Sequence, residues 1–364
     1  MSEQFSPQDE RFMRRALELA RRGLGRVSPN PAVGAVVVKD GVIVGEGYHL
    51  WEKMDHAEVV ALSKAGTRAS GGDLYVTLEP CCHFGRTPPC VDAILASSIR
   101  NVFVAVEDPN PMVSGKGINR LREFSIKVES GLLRREAQEL NRFFFHSITS
   151  GLPFVTLKLA MSMDGRIATS QGDSRWITGE DARKYVHLLR YRHDAILVGS
   201  GTLKADDPSL DVRGSGKKQI VKVVLDSNAS SVSSGSRILK SGGPVIVFYS
   251  AERIPVRPGT AVKKVEYIGV PEIRRLLSWR HILEELGKRN IRSLLVEGGG
   301  NIAGSLVNEG LVNELCFFYG PMLIGSEGVP GVGRLYTRKL PEAFRFSITR
   351  CRRLGDDLCV EGKC

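Results

Sequence analysis

The stretch EPCCHFGRTPPC, residues 79–90, carries three of the chain's seven cysteines, and His56 precedes it in DHAEV. Neutral imidazole and thiolate are good zinc ligands. If these residues share an ion, three separate elements must converge on one point, and no other feature restricts the fold as much. LYVTL reads as a short buried strand running toward Cys81, and CVDAILASSI as a helix beginning at Cys90. HAEVVALSKAG reads as a helix starting near His56. A helix N-terminus favours a thiolate through its exposed N–H groups and its dipole. One imidazole and two thiolates leave the fourth tetrahedral position for a water, whose pKa zinc lowers toward neutrality. Glu58, two residues after His56, reaches such a water without binding the ion.

The order of these residues resembles H-x-E…P-C-x-x-C, the signature of zinc nucleoside and base deaminases, in which the Glu shuttles protons. The chain has no C-x-x-C; eight residues separate Cys81 from Cys90. Quadrupling a two-residue loop costs about 1.2 kcal/mol of closure entropy, against about 10 kcal/mol or more from a zinc site. Gly85, Pro88 and Pro89 are suited to folding the longer loop back. Cys82 and His83 compete for the ligand role, but Pro80-Cys81 matches the signature and Cys82 does not. Each part alone has a plain structural reading, since cysteines are often buried hydrophobes. The weight lies in their joint order.

Along the chain, Ser6, Pro7 and Asp9 start a helix whose apolar face is Phe12, Met13, Ala16, Leu17 and Ala20. VGAVVVKDGVIVGEGY reads as two strands joined at Asp40-Gly41. VFVAV is a further strand, DPNP a turn, and RREAQELNRFFFHSIT a closing helix of about four turns. A seam is expected near TSGLP, residues 149–153. Beyond it, FVTLKLAMSMDGRIA, AILVGS, IVKVVLD, PVIVFYS, SLLVEG and ELCFFYG suit strands, and GEDARKYVHLLRY and WRHILEELGKR suit helices. NASSVSSGS, 228–236, is a polar loop. Two α/β domains are expected, 1–149 and 153–364.

PNPAVGAVVV, GEGYH, HAE and TLEPCCHFGRTPPC together resemble the deaminase half of the bifunctional riboflavin biosynthesis deaminase/reductase family, where the cysteine gap is eight. LKLAMSMDGRIA, SRWITG, LLRYRHDAILVGSGTLKADDPSLDVR and VEGGGNIAGSL resemble its reductase half. The likeness is weakest between about 228 and 290. It implies an α/β chain: an N-terminal cytidine-deaminase-like three-layer domain and a C-terminal dihydrofolate-reductase-like domain. It implies zinc on His56, Cys81 and Cys90, with Glu58 as proton shuttle and Asn30, His49, His83 and Arg86 at the substrate. It implies NADPH against Ala160, Trp176, Thr202, Asp206, Ser227, Gly299, Gly300, Asn301, Ile302, Ala303, Gly304 and Ser305. Ser174, Arg190, Leu210, Arg213 and Glu297 match substrate-contacting positions. The family has Ser where this chain has Cys82.

The charge distribution agrees with small anionic ligands. Residues 1–150 hold 19 Lys+Arg and 18 Asp+Glu, whereas residues 151–364 hold 32 and 22. A nucleic-acid-tracking deaminase needs clustered cations in its first half, and this half is nearly neutral. The basic half suits the phosphates of NADPH and of a ribosyl phosphate, with Arg190 and Arg213 as natural partners. LLVEGGGNIAGSL reads as a strand, a glycine turn and a helix start, where Gly298, Gly299 and Gly300 admit a phosphate to backbone N–H groups. It is not G-x-G-x-x-G, so a standard dinucleotide fold is not expected. Lys158, Asp206 and Glu297 are the ionisable residues expected near hydride transfer. A structural zinc module is the rival reading, and it predicts four protein ligands and no role for Glu58. The N-terminus has no apolar signal region and no membrane span is read, so a cytoplasmic location is expected; a homo-oligomer is expected as well. It would act on a small phosphorylated pyrimidine, with no nucleic-acid or membrane partner.

Overall fold

The structure is a computed structural model that describes residues 5–53, 55–85, 87–213, 218–253, 255 and 265–364. The chain divides into two compact units, Met1–Gly151 and Leu152–Cys364. Among the described residues no helix is long and apolar enough to cross a membrane.

The first unit opens with α1 (Pro7–Arg21), whose capping box joins Ser6 and Asp9. The hairpin β1 (Gly34–Lys39) and β2 (Val42–Tyr48) turns at Asp40 and Gly41, both at positive φ. Then come α2 (Ala57–Ala65), β3 (Asp73–Val76), α3 (Cys90–Ala96) and β4 (Asn101–Val104). They are followed by α4 (Lys116–Glu123), β5 (Lys127–Ser130), α5 (Arg134–Leu140) and α6 (Arg142–Ser150). The sheet order is β2-β1-β3-β4-β5, with β3, β4 and β5 parallel. Alternation along β1 decides the layering. Ala35 and Val37 pack with α2, α3 and α4, whereas Val36 and Val38 pack with α1 and α5. The result is a three-layer α/β/α unit. Gly45 and Gly47 share the α2 face of β2, where a Cβ at either would strike the backbone of α2. That close approach brings the start of α2 onto the sheet.

The closing helix is not continuous. It breaks at Asn141 (φ −105°, ψ 22°) into α5 and α6. The buried Asn141 side chain clamps a distant backbone instead. Its Oδ1 accepts from Ala32 N–H at 2.7 Å and its Nδ2 donates to Ala32 O at 2.9 Å.

The second unit runs β6 (Phe154–Ser162), β7 (Arg166–Ala168), α7 (Glu180–Arg192), β8 (Ala195–Gly199), α8 (Ser200–Asp206), β9 (Val221–Leu225), β10 (Val245–Ser250) and β11 (Val265–Val270). A small hairpin, β12 (Glu272–Ile273) and β13 (Leu276–Leu277), leads into α9 (Trp279–Lys288), β14 (Ser293–Val296), α10 (Gly300–Asn308) and β15 (Glu314–Gly320). The chain then forms β16 (Val329–Pro330) and the hairpin β17 (Ser347–Leu354) and β18 (Asp357–Lys363). Nine strands form one sheet, β11-β10-β9-β8-β14-β6-β15-β18-β17. The first seven are parallel, and β18 and β17 add antiparallel at the edge. Parallel strands need helices on both faces. Here α9 and α10 cover one face, and α7 and α8 cover the other. In open sheets of this kind, ligands collect beyond the carboxyl ends of the strands.

Candidate active sites

In the first unit His56 is the N-cap of α2, Cys81 follows β3, and Cys90 is the first residue of α3. Their ligand atoms lie within 4.8 Å of one another. His56 Nδ1 is 3.0 Å from Cys90 Sγ and 3.5 Å from Cys81 Sγ. Zinc bonds of about 2.0 Å to nitrogen and 2.3 Å to sulfur, at a tetrahedral angle, separate the two ligand atoms by about 3.5 Å. Two sulfurs, one nitrogen and this spacing fit zinc. The Cys90 N–H also donates to Cys81 Sγ at 3.3 Å. Donation from the Cys90 thiol, with help from His56, outweighs burial and holds Cys81 as a thiolate, its pKa lowered to about 4. The neighbouring sulfur in turn pushes Cys90 upward. Hydrogen bonding to Cys81 raises His56. Cys82 packs against the apolar core instead and is not one of the clustered ligands.

Glu58 is the second residue of α2, within its first turn, and is 3 % exposed. Burial pushes its carboxyl up to about 7. An acid poised near neutrality can both take and return a proton. His49 is buried, its Nε2 3.1 Å from Asn30 Nδ2 and its Nδ1 2.9 Å from Asp55 O. The His49 and His56 rings meet edge-on with centroids 5.4 Å apart. His83 Nδ1 is buried without a partner among the described residues. Arg86 lies outside the described residues.

Sequence reasoning passed over Glu79. Its carboxylate accepts four backbone N–H groups, from Asp108, Gly115, Gly117 and Ile118, at 2.9–3.2 Å. It fastens the loop after β4 beside the cysteine loop. Buried Asp108, on that loop, is raised to about 6, chiefly by burial. The only available signal was a glutamate directly before Pro80-Cys81.

In the second unit a cavity of about 1030 Å³ opens at the carboxyl ends of β6, β8 and β14. It brings together Lys158, Ala160, Ser174, Trp176, Arg190, Thr202, Asp206, Leu210, Arg213, Glu297 and Gly299. Its wall holds seven Lys and Arg against four Asp and Glu, an excess that suits phosphates. Leu210 keeps φ at 51°, a backbone strain of about 1–3 kcal/mol that the loop must hold in place. Gly299 is the N-cap of α10, and a Cβ built there would find nothing nearer than Thr202 Oγ1 at 4.0 Å. An open glycine at a helix start in a cationic cavity fits a dinucleotide pyrophosphate.

The remaining predicted contacts do not line this cavity. Ser227 follows β9, and its carbonyl accepts from Ser250. Asn301 is exposed, Ile302 packs on Gly199 and Gly298, and Ala303 is core. Gly300 and Gly304 lie against the backbone of residues 330–334. Ser305 Oγ receives Trp279 Nε1 at 2.9 Å and donates to Ile302 O.

Arg190 is also not the free phosphate partner that its type suggests. Its Nε and Nη2 fork onto Glu297 at 2.8 and 3.0 Å, and its Nη1 donates to Asp211 O at 3.1 Å. Lys158 Nζ stands 3.7 Å from the same carboxylate. Burial alone would raise Glu297, but the Arg190 and Lys158 charges outweigh it and hold the pKa at about 2. Elsewhere in this unit Cys316, Cys359 and Glu361 form a second grouping, in which Glu361 already accepts from Tyr185 and Arg352.

Two family descriptions match the chain. Residues 6–106 match the cytidine and deoxycytidylate deaminase zinc-binding region. Residues 153–360 match the RibD C-terminal domain. The riboflavin biosynthesis protein RibD of Bacillus amyloliquefaciens is 44% identical, covering 96% of this chain and 95% of its own length. That of Escherichia coli is 41% identical, covering 97% and 98%. Among solved structures, Acinetobacter baumannii RibD aligns with a TM-score of 0.89 at 34% identity over 98% of both chains. A Thermotoga maritima diaminohydroxyphosphoribosylaminopyrimidine deaminase/5-amino-6-(5-phosphoribosylamino)uracil reductase gives 0.87 at 36%, also over 98% of both. With a zinc-binding deaminase region followed by a reductase domain, and relatives that match from end to end, the chain belongs to the RibD family of bifunctional riboflavin biosynthesis deaminase/reductases.

Proposed function

We propose that the first unit hydrolytically deaminates 2,5-diamino-6-ribosylamino-4(3H)-pyrimidinone 5′-phosphate, and that the second reduces the ribosyl chain of the product to a ribityl chain with NADPH. The observation that carries the reading is the meeting of His56, Cys81 and Cys90 beside buried Glu58. Three protein donors leave room for water, which a purely structural site does not.

His56, Cys81 and Cys90 would hold zinc, which when bound acts as a Lewis acid and lowers the pKa of a water. Glu58 takes the proton of the attacking water on its carboxylate and passes it to the departing amine, so that ammonia leaves. The hydrogen-bonded Asn30 and His49 side chains orient the ring, with His83 offering a further polar atom. In the second unit Gly299 and Thr202 would cradle the cofactor, whose nicotinamide supplies the hydride for C1′. Lys158 and Glu297 present a fixed charge pair to the reacting sugar, and Arg190 locks Glu297 in its ionised form. We read the protein as a cytoplasmic homo-oligomer without a nucleic-acid partner, the last because the first half of the sequence is almost neutral.

Purified protein is incubated with the pyrimidine, with and without NADPH, while ammonia and NADPH are followed together. Glu58→Gln should keep its zinc by metal analysis and lose ammonia release by at least a hundredfold, about the lower bound for general acid–base catalysis. Normal turnover in that variant would overturn the mechanism.

A further inference from the structure

We infer that Arg120 is a positioning residue for the zinc ligands: its guanidinium ties together the two ends of the eight-residue loop between Cys81 and Cys90, so that both sulfurs are in place before the ion binds. The inference rests on the zinc reading above. A longer loop between two ligands leaves more chain to be ordered on binding. A two-residue turn orders itself; this loop gains a tether from outside. Arg120 Nη1 donates to Cys82 O at 3.4 Å, and its Nη2 donates to Asp92 Oδ1 at 2.8 Å. Cys82 is the residue after Cys81, and Asp92 is two residues beyond Cys90 in the first turn of α3. One planar guanidinium therefore spans both ends. Such a fork holds its two acceptors at a fixed separation, which a lysine ammonium does not.

A tether works only if its own base is fixed, and α4 is fixed on both sides. Glu79 accepts from the Gly117 and Ile118 N–H groups at 3.0 and 3.2 Å. Gly117 lies so close to the chain before Cys81 that a Cβ there would stand 2.0 Å from Pro80 O. Ile118 and Leu121 are buried in the same core as Val91 and Ile94 of α3. α4 is thus a splint laid across the strand exit that carries Cys81 and the helix start that carries Cys90. The bonds within the loop's own ends, Val91 N–H to Cys81 O at 3.2 Å and Cys90 N–H to Cys81 Sγ at 3.3 Å, form only when those ends have met. Arg120 holds the ends from a third element and does not depend on that meeting. The Arg120 and Asp92 side chains are 39% and 40% exposed, and an ion pair so open to solvent adds little to the stability of a fold. Its effect belongs to metal affinity, where groups that orient ligands are typically worth 10–100-fold.

The test uses full-length wild type, Arg120→Gln, Arg120→Lys, Asp92→Ala and the double variant Arg120→Gln/Asp92→Ala, each loaded with zinc. Zinc release to a colorimetric chelator should be at least tenfold faster in Arg120→Gln, and Lys should recover part of the loss. The double variant should release zinc no faster than Arg120→Gln alone, because both changes cut one tether. In metal-free protein the Val91 N–H should exchange with deuterium at least fivefold faster in Arg120→Gln. With zinc in excess, kcat for ammonia release should stay within threefold of wild type. Leu17→Ala, which opens a cavity on the α1 face of the sheet, serves as a destabilised control and should release zinc at the wild-type rate. Unchanged zinc release in Arg120→Gln overturns the assignment. So does an equal rise in Leu17→Ala, which would trace the effect to lost stability. A fall in kcat at saturating zinc without faster release would also overturn it and place Arg120 at the substrate. A wild-type protein that binds no zinc would sink the zinc reading itself and this inference with it.

Discussion

A Cβ at Gly298 would lie 2.9 Å from Ile302 Cβ, and one at Gly300 would strike Pro330 O and approach Gly333 N at 3.3 Å. Gly298 and Gly299 both line the cavity, but of the three only Gly299 has open space where a side chain would stand. The three glycines that read alike in VEGGGN therefore serve three purposes: contact with α10, contact with the 330–333 segment, and access for a ligand. A charge at Gly300 would test packing, so the informative variant is Gly299→Asp. A carboxylate there repels a pyrophosphate at the helix start. NADPH affinity should fall at least tenfold by fluorescence titration, while ammonia release persists. Retained cofactor affinity would remove Gly299 from the phosphate cradle. Glu79 shows the opposite limit of one-dimensional reading. The catalytic-looking pieces HAE and EPCC could be recognised because each is a short run of neighbouring residues of rare types. The four N–H donors of Glu79 lie 29 to 39 positions away, and no local pattern announces them.

At the scale of elements, amphipathic helices and alternating strands were legible because their period is short. The capping box of α1, the Asp40-Gly41 hairpin and the starts of α2 and α3 all follow from neighbouring residues. Not legible were α4, β5 and the β17–β18 hairpin. β5 is only four residues long, and β17 is exposed along most of its length, so neither shows a clear apolar period. RREAQELNRFFFHSIT has a helical period throughout, and the break at Asn141 arises from a tertiary demand by Ala32. That demand is testable. Asn141→Ala would leave a buried N–H and a buried C=O of Ala32 without their partner. Each costs about 1–3 kcal/mol, so the first unit should lose about 2–6 kcal/mol. Asn30 lies two residues from Ala32, so the deaminase KM should also rise. Differential scanning calorimetry and ammonia release measure the two effects; an unchanged melting transition would mean that another group replaces the clamp.

Across the whole molecule the two units rest on opposite electrostatic solutions. The first keeps Glu58 buried among sulfurs and an imidazole, where burial raises its pKa to about 7. The second keeps Glu297 ionised between Arg190 and Lys158, with its pKa lowered from 4.5 to about 2. A depressed carboxylate stabilises the fold fully above its unfolded pKa, and the contribution disappears as pH falls through the folded value. For Glu297 the window runs from about pH 4.5 down to about pH 2, and the gap corresponds to about 3 kcal/mol. Its near-complete burial means solvent screening removes little of this. Acid should therefore weaken the second unit specifically through this group. Trp279, buried with its indole N–H on Ser305, reports on that unit. In an acid titration followed by denaturant unfolding and tryptophan emission, wild type should lose stability steeply across this window. Glu297→Gln cannot ionise; it should be less stable at pH 7, because Arg190 is left buried without its counter-charge. Its stability should then fall less between pH 4.5 and pH 2 than that of wild type. Parallel slopes in the two proteins would mean that the acid sensitivity of this unit lies elsewhere, and that the charge pair at the floor of the cavity does not hold Glu297 ionised.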